Sequence, residues 1–132
     1  MKKKILMIDD DQELCEEITE ILTSEGYSVT TAFDGLSGNR LVEKYDYDVL
    51  ILDVKMPGLS GLDILKSIKE QNKELRVIIL TGRPLNNNLP KEQNYNDREE
   101  AILGLADGII GKPFNIEALL GKIKELSNKT HI

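Results

Sequence analysis

Four short apolar runs of the chain end in polar residues of the kinds that bind metal ions or phosphate. In chain order these residues are Asp9, Asp10 and Asp11, then Asp53, then Thr81, and finally Lys112. Carboxylates that are placed together repel one another, and a divalent cation relieves that repulsion. Ligand sets made only of oxygen select hard ions, which favours Mg²⁺ or Mn²⁺ here. If the four run ends meet, the sequence predicts a small metal-binding pocket.

The same residue types suit phosphoryl transfer. A carboxylate such as that of Asp53 can act as a nucleophile and carry the phosphoryl group as an acyl phosphate. The metal and the Lys112 ammonium would neutralise charge on the phosphoryl oxygens, and the Thr81 hydroxyl could donate a hydrogen bond to one of them. Each residue alone has an ordinary explanation, since Asp10 or Asp11 could simply cap the first helix. The conjunction of four consecutive run ends is what favours a functional site.

The apolar pattern predicts the elements that must bring these residues together. Continuous apolar runs at 5–8, 49–52, 77–80 and 109–110, with a β-branched segment at 28–31, predict five strands. Apolar residues at helical spacing predict helices within 14–22, 36–44, 62–68, 101–105 and 116–126, the first of them stopped by Gly26. The alternation indicates a parallel α/β sheet covered on both faces. Ligands of such sheets bind beyond the carboxyl ends of the strands, which is where the polar residues stand.

Composition narrows the classes of function. A length of 132 residues suits one domain, and the single histidine, His131, argues against His-ligated zinc sites and Ser-His-Asp catalysis. The net charge of -6 argues against direct binding of nucleic acid by this domain. No apolar stretch approaches the length of a membrane span, so we expect no membrane contact and a cytoplasmic location.

Taken as an ordered set, the motifs resemble those of the receiver domain of bacterial two-component response regulators. The matching segments are Ile8–Asp11, Leu52–Gly58 with Gly61, Leu80–Gly82 and Gly111–Phe114. They resemble, respectively, the family's acidic pair, its phosphorylation-site segment, its hydroxyl position and its lysine turn, in which the peptide before the proline is often cis. The resemblance runs from residue 4 to about residue 127, so we expect residues 1–132 to form a single receiver domain.

The resemblance implies a fold and a metal site. The fold is an α/β, flavodoxin-like, doubly wound five-stranded parallel sheet of order 2-1-3-4-5 flanked by five helices. Mg²⁺ (or Mn²⁺) would be bound directly by Asp10 and Asp53, through water by Asp9, and by the backbone carbonyl of Lys55. No organic cofactor is expected, because the chain has no Gly-rich phosphate loop after its first strand.

The resemblance also implies a reaction and its partners. Asp53 would accept a phosphoryl group from the phosphohistidine of a sensor histidine kinase or phosphotransfer protein, with Thr81 and Lys112 contacting that group. The domain would catalyse only its own phosphorylation and dephosphorylation. Phosphorylation would shift the face made by helix four, strand five and helix five toward a downstream output domain or protein, and a homodimer is compatible with this scheme.

Two features depart from the family pattern. Ile109 stands three residues before Lys112, where the family usually has an aromatic switch residue. The loop at about 82–96 is unusually long, which is compatible with a specific role beside the site or with a tolerated insertion.

Two alternative functions remain open for this sequence: a degenerate receiver that acts as a protein-interaction module, and an aspartate-nucleophile phosphatase. The phosphatase requires a second aspartate two residues after the nucleophile, and Lys55 occupies that position.

Lys55 and Arg83 follow Asp53 and Thr81, respectively, by two residues, positions that tune dephosphorylation in the family. We predict that these long basic side chains obstruct the attacking water and prolong the phosphorylated state. The phosphoryl half-lives of the parent, Lys55→Ala and Arg83→Ala proteins would be compared after removal of the phosphodonor. A parent half-life no longer than those of both variants contradicts the prediction.

Overall fold

The computed structural model of the chain describes residues 2–54, 61–71, 74–82 and 96–128. Its strands are β1 Lys4–Ile8, β2 Ser28–Ala32, β3 Val49–Asp53, β4 Arg76–Thr81 and β5 Gly108–Gly111. They form one sheet in the order β2-β1-β3-β4-β5, and each neighbouring pair is parallel. The predicted flavodoxin-like order is therefore confirmed.

Helices alternate with the strands, as the apolar spacing predicts. They are α1 Gln12–Ser24, α2 Gly35–Lys44, α3 Gly61–Gln71, α4 Asp97–Leu103 and α5 Ile116–Ser127. Short polar side chains accept backbone N–H hydrogen bonds at the starts of four of these helices, namely Asp11, Asp34, Asn96 and Asn115. After α1, Gly26 has a φ of 95°, the left-handed conformation that glycine adopts without a steric penalty. In the described part of the chain, no helix has the length and apolar character needed to cross a bilayer.

The three central strands are buried on both faces, which explains why their sequences are continuously apolar. Alternate residues of β1, such as Leu6 and Met7, point into separate clusters on the two sides of the sheet. One cluster lies under α2, α3 and α4, and the other lies under α1 and α5. Burying each large aliphatic side chain contributes about 1.5–3 kcal/mol. This double core holds the carboxyl ends of β1, β3 and β4 side by side.

A cluster of charged residues around Asp107, just before β5, lies at the amino ends of the strands. One Asp107 carboxylate oxygen accepts hydrogen bonds from Lys69 Nζ at 2.6 Å and from the Val77 backbone N–H at 2.8 Å. Arg76 Nη1 lies 3.4 Å from the other oxygen. Burial alone would raise the pKa of Asp107, but the hydrogen bonds from Lys69 and Val77 and the two positive charges outweigh burial and lower it. The cluster ties α3, β4 and β5 together.

We predict that Asp107→Asn destabilises the domain by about 1–3 kcal/mol near neutral pH, because charge-assisted hydrogen bonds are lost. The folded-state pKa of Asp107 lies below the unfolded value, so its contribution is complete above that value, about 3.9, and is lost as the pH falls through the folded-state pKa. The difference in the free energy of unfolding between the parent and Asp107→Asn should therefore narrow below about pH 4. Urea denaturation followed by circular dichroism at several pH values measures this, with the exposed Asp46→Asn as control. A gap that is constant with pH contradicts the prediction.

Candidate functional site

The predicted polar residues meet at the carboxyl edge of the sheet. Asp9 directly follows β1, Asp53 is the last residue of β3, Thr81 is the last residue of β4, and Lys112 directly follows β5. The strands are parallel and adjacent, and the Lys112 backbone N–H donates to the Thr81 carbonyl oxygen at 2.7 Å. The structure thus brings Asp9, Asp10, Asp53 and Lys112 into one group, with Thr81 buried at the same edge.

Three carboxylates form a compact oxygen cluster. One oxygen from each of Asp9, Asp10 and Asp53 lies within 4.8 Å of the others. Mg²⁺ binds oxygen at 2.0–2.1 Å, so ligands on opposite sides of the ion stand about 4.2 Å apart. Three oxygens gathered this closely can therefore converge on one small hard cation. Asp9 is 0% exposed and Asp53 is 5% exposed, whereas Asp10 is exposed and faces solvent. The cluster suits an ion that is held from below by buried ligands and reached from solvent.

Lys112 partly balances this negative charge. Its Nζ lies 2.9 Å from Asp9 Oδ2 and 3.7 Å from Asp53 Oδ2. Burial alone would lower the pKa of Lys112, but the hydrogen bond to Asp9 and the charges of Asp53, Asp9 and Asp11 outweigh burial and raise it. The ammonium group therefore stays charged. Among the described residues, the carboxylates of this cluster outnumber the Lys112 ammonium beside them, so the cluster favours a divalent cation.

Asp9 is held on both its backbone and its side chain. Its Oδ1 accepts from the Asp11 backbone N–H at 3.0 Å, and its own N–H donates to the Ala32 carbonyl at 3.1 Å. The buried Cys15 thiol donates to the Asp9 carbonyl oxygen at 3.5 Å. Burial, and then the charges of Asp9 and Asp11, raise the pKa of Cys15 to about 12, so this thiol keeps its proton. Asp9 is thus fixed in place before any ion arrives.

The structure separates the roles of the three consecutive aspartates. Asp11 caps α1, because its Oδ1 accepts from the Leu14 backbone N–H at 3.1 Å. Asp9 and Asp10 belong to the oxygen cluster. The sequence alone left the capping residue open between Asp10 and Asp11. Cys15 was missed in the sequence, where its spacing with Ile18 and Leu22 shows only that it lies on the buried face of α1.

The remaining predictions concern the peptide bond after Lys112, the exposure of Ile109, and positions in the loops beside the site. The peptide bond between Lys112 and Pro113 is cis, as the resemblance implies. Ile109 lies on the edge strand β5 and is 38% exposed. The Lys55 carbonyl, Arg83 and nearly all of the loop at about 82–96 lie outside the described residues.

Comparison with known proteins gives matches over nearly the whole chain. Residues 5–124 match the family described as "Response regulator receiver domain". The transcriptional regulatory protein DltR of Streptococcus agalactiae is 36% identical over 121 residues, covering 92% of this chain and 50% of DltR. The probable transcriptional regulatory protein TcrX of Mycobacterium tuberculosis is 31% identical over 128 residues, covering 97% of this chain and 51% of TcrX. The chain spans about half the length of these curated relatives.

Solved structures of similar fold agree with these sequence matches. The receiver domain of the Francisella response regulator 1452 has a TM-score of 0.81 at 29% identity, covering 98% of this chain and 100% of that one. The response regulator TrrA of Thermotoga maritima, solved in complex with Mg(2+)-BeF, has a TM-score of 0.77 at 32% identity. That match covers 94% of this chain and 98% of TrrA.

We predict that Mg²⁺ stabilises the folded domain through the oxygen cluster. A ligand that binds only the folded state adds about 2.7 kcal/mol when its free concentration is 100 times its Kd. Asp10→Asn removes a carboxylate ligand and should shift the whole stabilisation curve to higher Mg²⁺ concentration. Urea denaturation at increasing MgCl₂ and constant ionic strength measures the shift, and the remote Asp46→Asn serves as control. An unchanged curve for Asp10→Asn would rule out this carboxylate as a ligand.

Proposed function

The chain belongs to the response regulator receiver domain family, and from this premise we propose that Asp53 is the residue that takes the phosphoryl group. Its family makes the chain a phosphoaccepting receiver of two-component signal transduction. The observation that carries the choice of Asp53 is its position at the end of the central strand β3, close to the Lys112 ammonium and in one oxygen cluster with Asp9 and Asp10.

Neighbouring carboxylates suit this role less well. Both oxygens of Asp9 already accept hydrogen bonds, one from Lys112 and one from the Asp11 backbone, and its side chain is fully buried. Asp10 is exposed and follows β1 in a segment that leads into the helix cap. Asp53 combines a fixed backbone with a carboxylate near the charged lysine. These contacts support Asp9 and Asp10 as metal ligands and Asp53 as both ligand and acceptor.

In the proposed reaction, a carboxylate oxygen of Asp53 attacks the phosphorus of a phosphohistidine. The new P–O bond forms an acyl phosphate while the P–N bond breaks, and its electron pair returns to the imidazole of the donor. A bound Mg²⁺ (or Mn²⁺) supplies neutralisation of charge on the phosphoryl oxygens. Lys112 contributes a second positive charge 3.7 Å from Asp53 Oδ2. The Thr81 hydroxyl, at the end of β4, donates a hydrogen bond to one of the phosphoryl oxygens.

The ion would be held directly by the carboxylates of Asp10 and Asp53, through water by Asp9, and by the backbone carbonyl of Lys55. The all-oxygen donor set, and the excess of carboxylates over the Lys112 ammonium among the described residues, support this assignment. A relative solved with Mg(2+)-BeF supports it further. We extend the proposal to residues 1–132 as one receiver domain whose only catalysis is its own phosphorylation and dephosphorylation.

The proposed partners follow from the same premise. A sensor histidine kinase or phosphotransfer protein in the cytoplasm supplies the phosphoryl group, and an output domain or protein receives the signal. Relatives described as transcriptional regulatory proteins are about twice as long as this chain, which supports an output of that kind. The α4, β5 and α5 face, which exposes Leu105 and Ile109, would carry the change and would also serve a homodimer. The assembled acidic cluster favours neither a degenerate receiver nor a phosphatase.

Incubation with acetyl phosphate and Mg²⁺ tests the acceptor. We expect intact mass spectrometry to find a single phosphoryl adduct on the parent protein, because one carboxylate is poised for attack. Asp53→Asn should abolish the adduct, and chelation of the metal should suppress it. The remote Asp46→Asn should be modified like the parent. An adduct of undiminished yield on Asp53→Asn would show that another group is the acceptor.

A further inference from the structure

We propose that Gly61, the first residue of α3, is a positioning residue for the Asp53 carboxylate and so for the metal and the phosphoryl group. The inference rests on the proposed role of Asp53. Gly61 would touch neither the metal nor the phosphoryl group. Its proposed role is to leave free of side-chain atoms a point where a side chain would displace Asp53. The space that a Cβ atom would occupy there is already filled by the backbone that carries Asp53.

The contact at Gly61 is between backbones. A Cβ atom built on Gly61 would lie 2.5 Å from the Val54 Cα, 3.1 Å from the Asp53 carbonyl carbon and closer still to the Asp53 carbonyl oxygen. Carbon atoms in contact prefer separations of about 3.5–4.0 Å, so a methyl group would force a retreat of about 1 Å. At Gly38 and Gly108 the obstructing atoms belong instead to side chains, those of Ile8 and Lys122.

The retreat would fall on β3 rather than on α3. The helix is fixed by four buried apolar side chains, those of Leu62, Ile64, Leu65 and Ile68. Near its other end, Lys69 is bound to Asp107 and to the Leu75 carbonyl oxygen. At the point of contact, the Val54 N–H donates to the Leu80 carbonyl at 3.3 Å. Moving α3 would disturb its buried side chains and the ion pair of Lys69 with Asp107, so the displacement falls on the residues that the methyl group touches, Asp53 and Val54.

A displacement at Asp53 has direct consequences for the site. The carboxylate must stay near both Lys112 Nζ and the oxygens of Asp9 and Asp10. A misplacement of about 1 Å costs roughly 100-fold in reactions that depend on alignment. Changes in the groups that orient metal ligands typically cost about 10–100-fold in metal affinity or activity. The absence of a side chain at position 61 therefore sets the position of the acceptor.

The test is Gly61→Ala, measured without and with a phosphodonor. Mn²⁺ affinity is obtained by electron paramagnetic resonance with no donor present, and the phosphorylation rate is obtained with acetyl phosphate at saturating Mg²⁺. We expect a loss of about 10–100-fold in each. Gly121→Ala, which makes the same chemical change in open space on α5, should stay within about twofold of the parent in both. Parental Mn²⁺ affinity and rate in folded Gly61→Ala would overturn the proposal.

Stability alone must not explain the result. Ile68→Ala destabilises α3 at the end remote from Gly61, and we expect it to keep parental Mn²⁺ affinity at temperatures where it is folded. Equal losses in Ile68→Ala and Gly61→Ala would overturn the proposal. If Gly61→Ala does not fold, Leu62→Ala takes its place in the test, because it loosens the packing of the residue next to Gly61. Leu62→Ala should lose clearly more Mn²⁺ affinity than Ile68→Ala, and equal Mn²⁺ affinities would overturn the proposal.

Asp53→Asn, assayed in parallel with acetyl phosphate, separates this inference from the proposed acceptor. An undiminished adduct on Asp53→Asn would refute Asp53 as the acceptor. Loss of that adduct together with parental behaviour of Gly61→Ala would refute only the role of Gly61.

Discussion

The site depends on a balance of charge at neighbouring strand ends. Three carboxylates, with one oxygen of each within 4.8 Å of the others, are held beside the Lys112 ammonium, and two of the acidic side chains are almost fully buried. Such an arrangement is unfavourable unless a cation completes it. The double core under the sheet holds the strands in register despite this repulsion. In the proposed function, charge repulsion that the fold already sustains would become binding energy for a divalent ion and, through that ion, affinity for a phosphoryl group.

Much of this could be predicted from the sequence. Central strands buried on both faces are continuously apolar, so β1, β3 and β4 stood out as runs, and the residue after each run was the one to inspect. Parallel order then placed Asp9, Asp53, Thr81 and Lys112 at one edge. The assignment of the capping role to Asp11 needed coordinates, since either of two adjacent aspartates can cap a helix.

Two contacts were beyond sequence reasoning for a physical reason. The Cys15 thiol reaches the Asp9 carbonyl across a packed helix and strand, and Asp107 gathers charges from α3 and β4. Residue type at one position says nothing about partners that are brought close only by tertiary packing. The tight approach of Gly61 to Val54 is similar, because a glycine after a turn has many ordinary explanations and only the backbone geometry selects one.

The short strand β5 is tied at both of its ends. Just before it, Asp107 binds Lys69 and the Val77 backbone, and just after it, Lys112 binds Asp9. Only four residues lie between these two anchors, and Ile109, with its partly exposed side chain, is one of them. An edge strand clamped in this way has little freedom to slide along its neighbour. If Lys112 exchanged Asp9 for another anionic partner, the resulting strain would be absorbed mainly as local twisting of the clamped strand. That twist would change the apolar surface around Ile109, which is accessible from solvent.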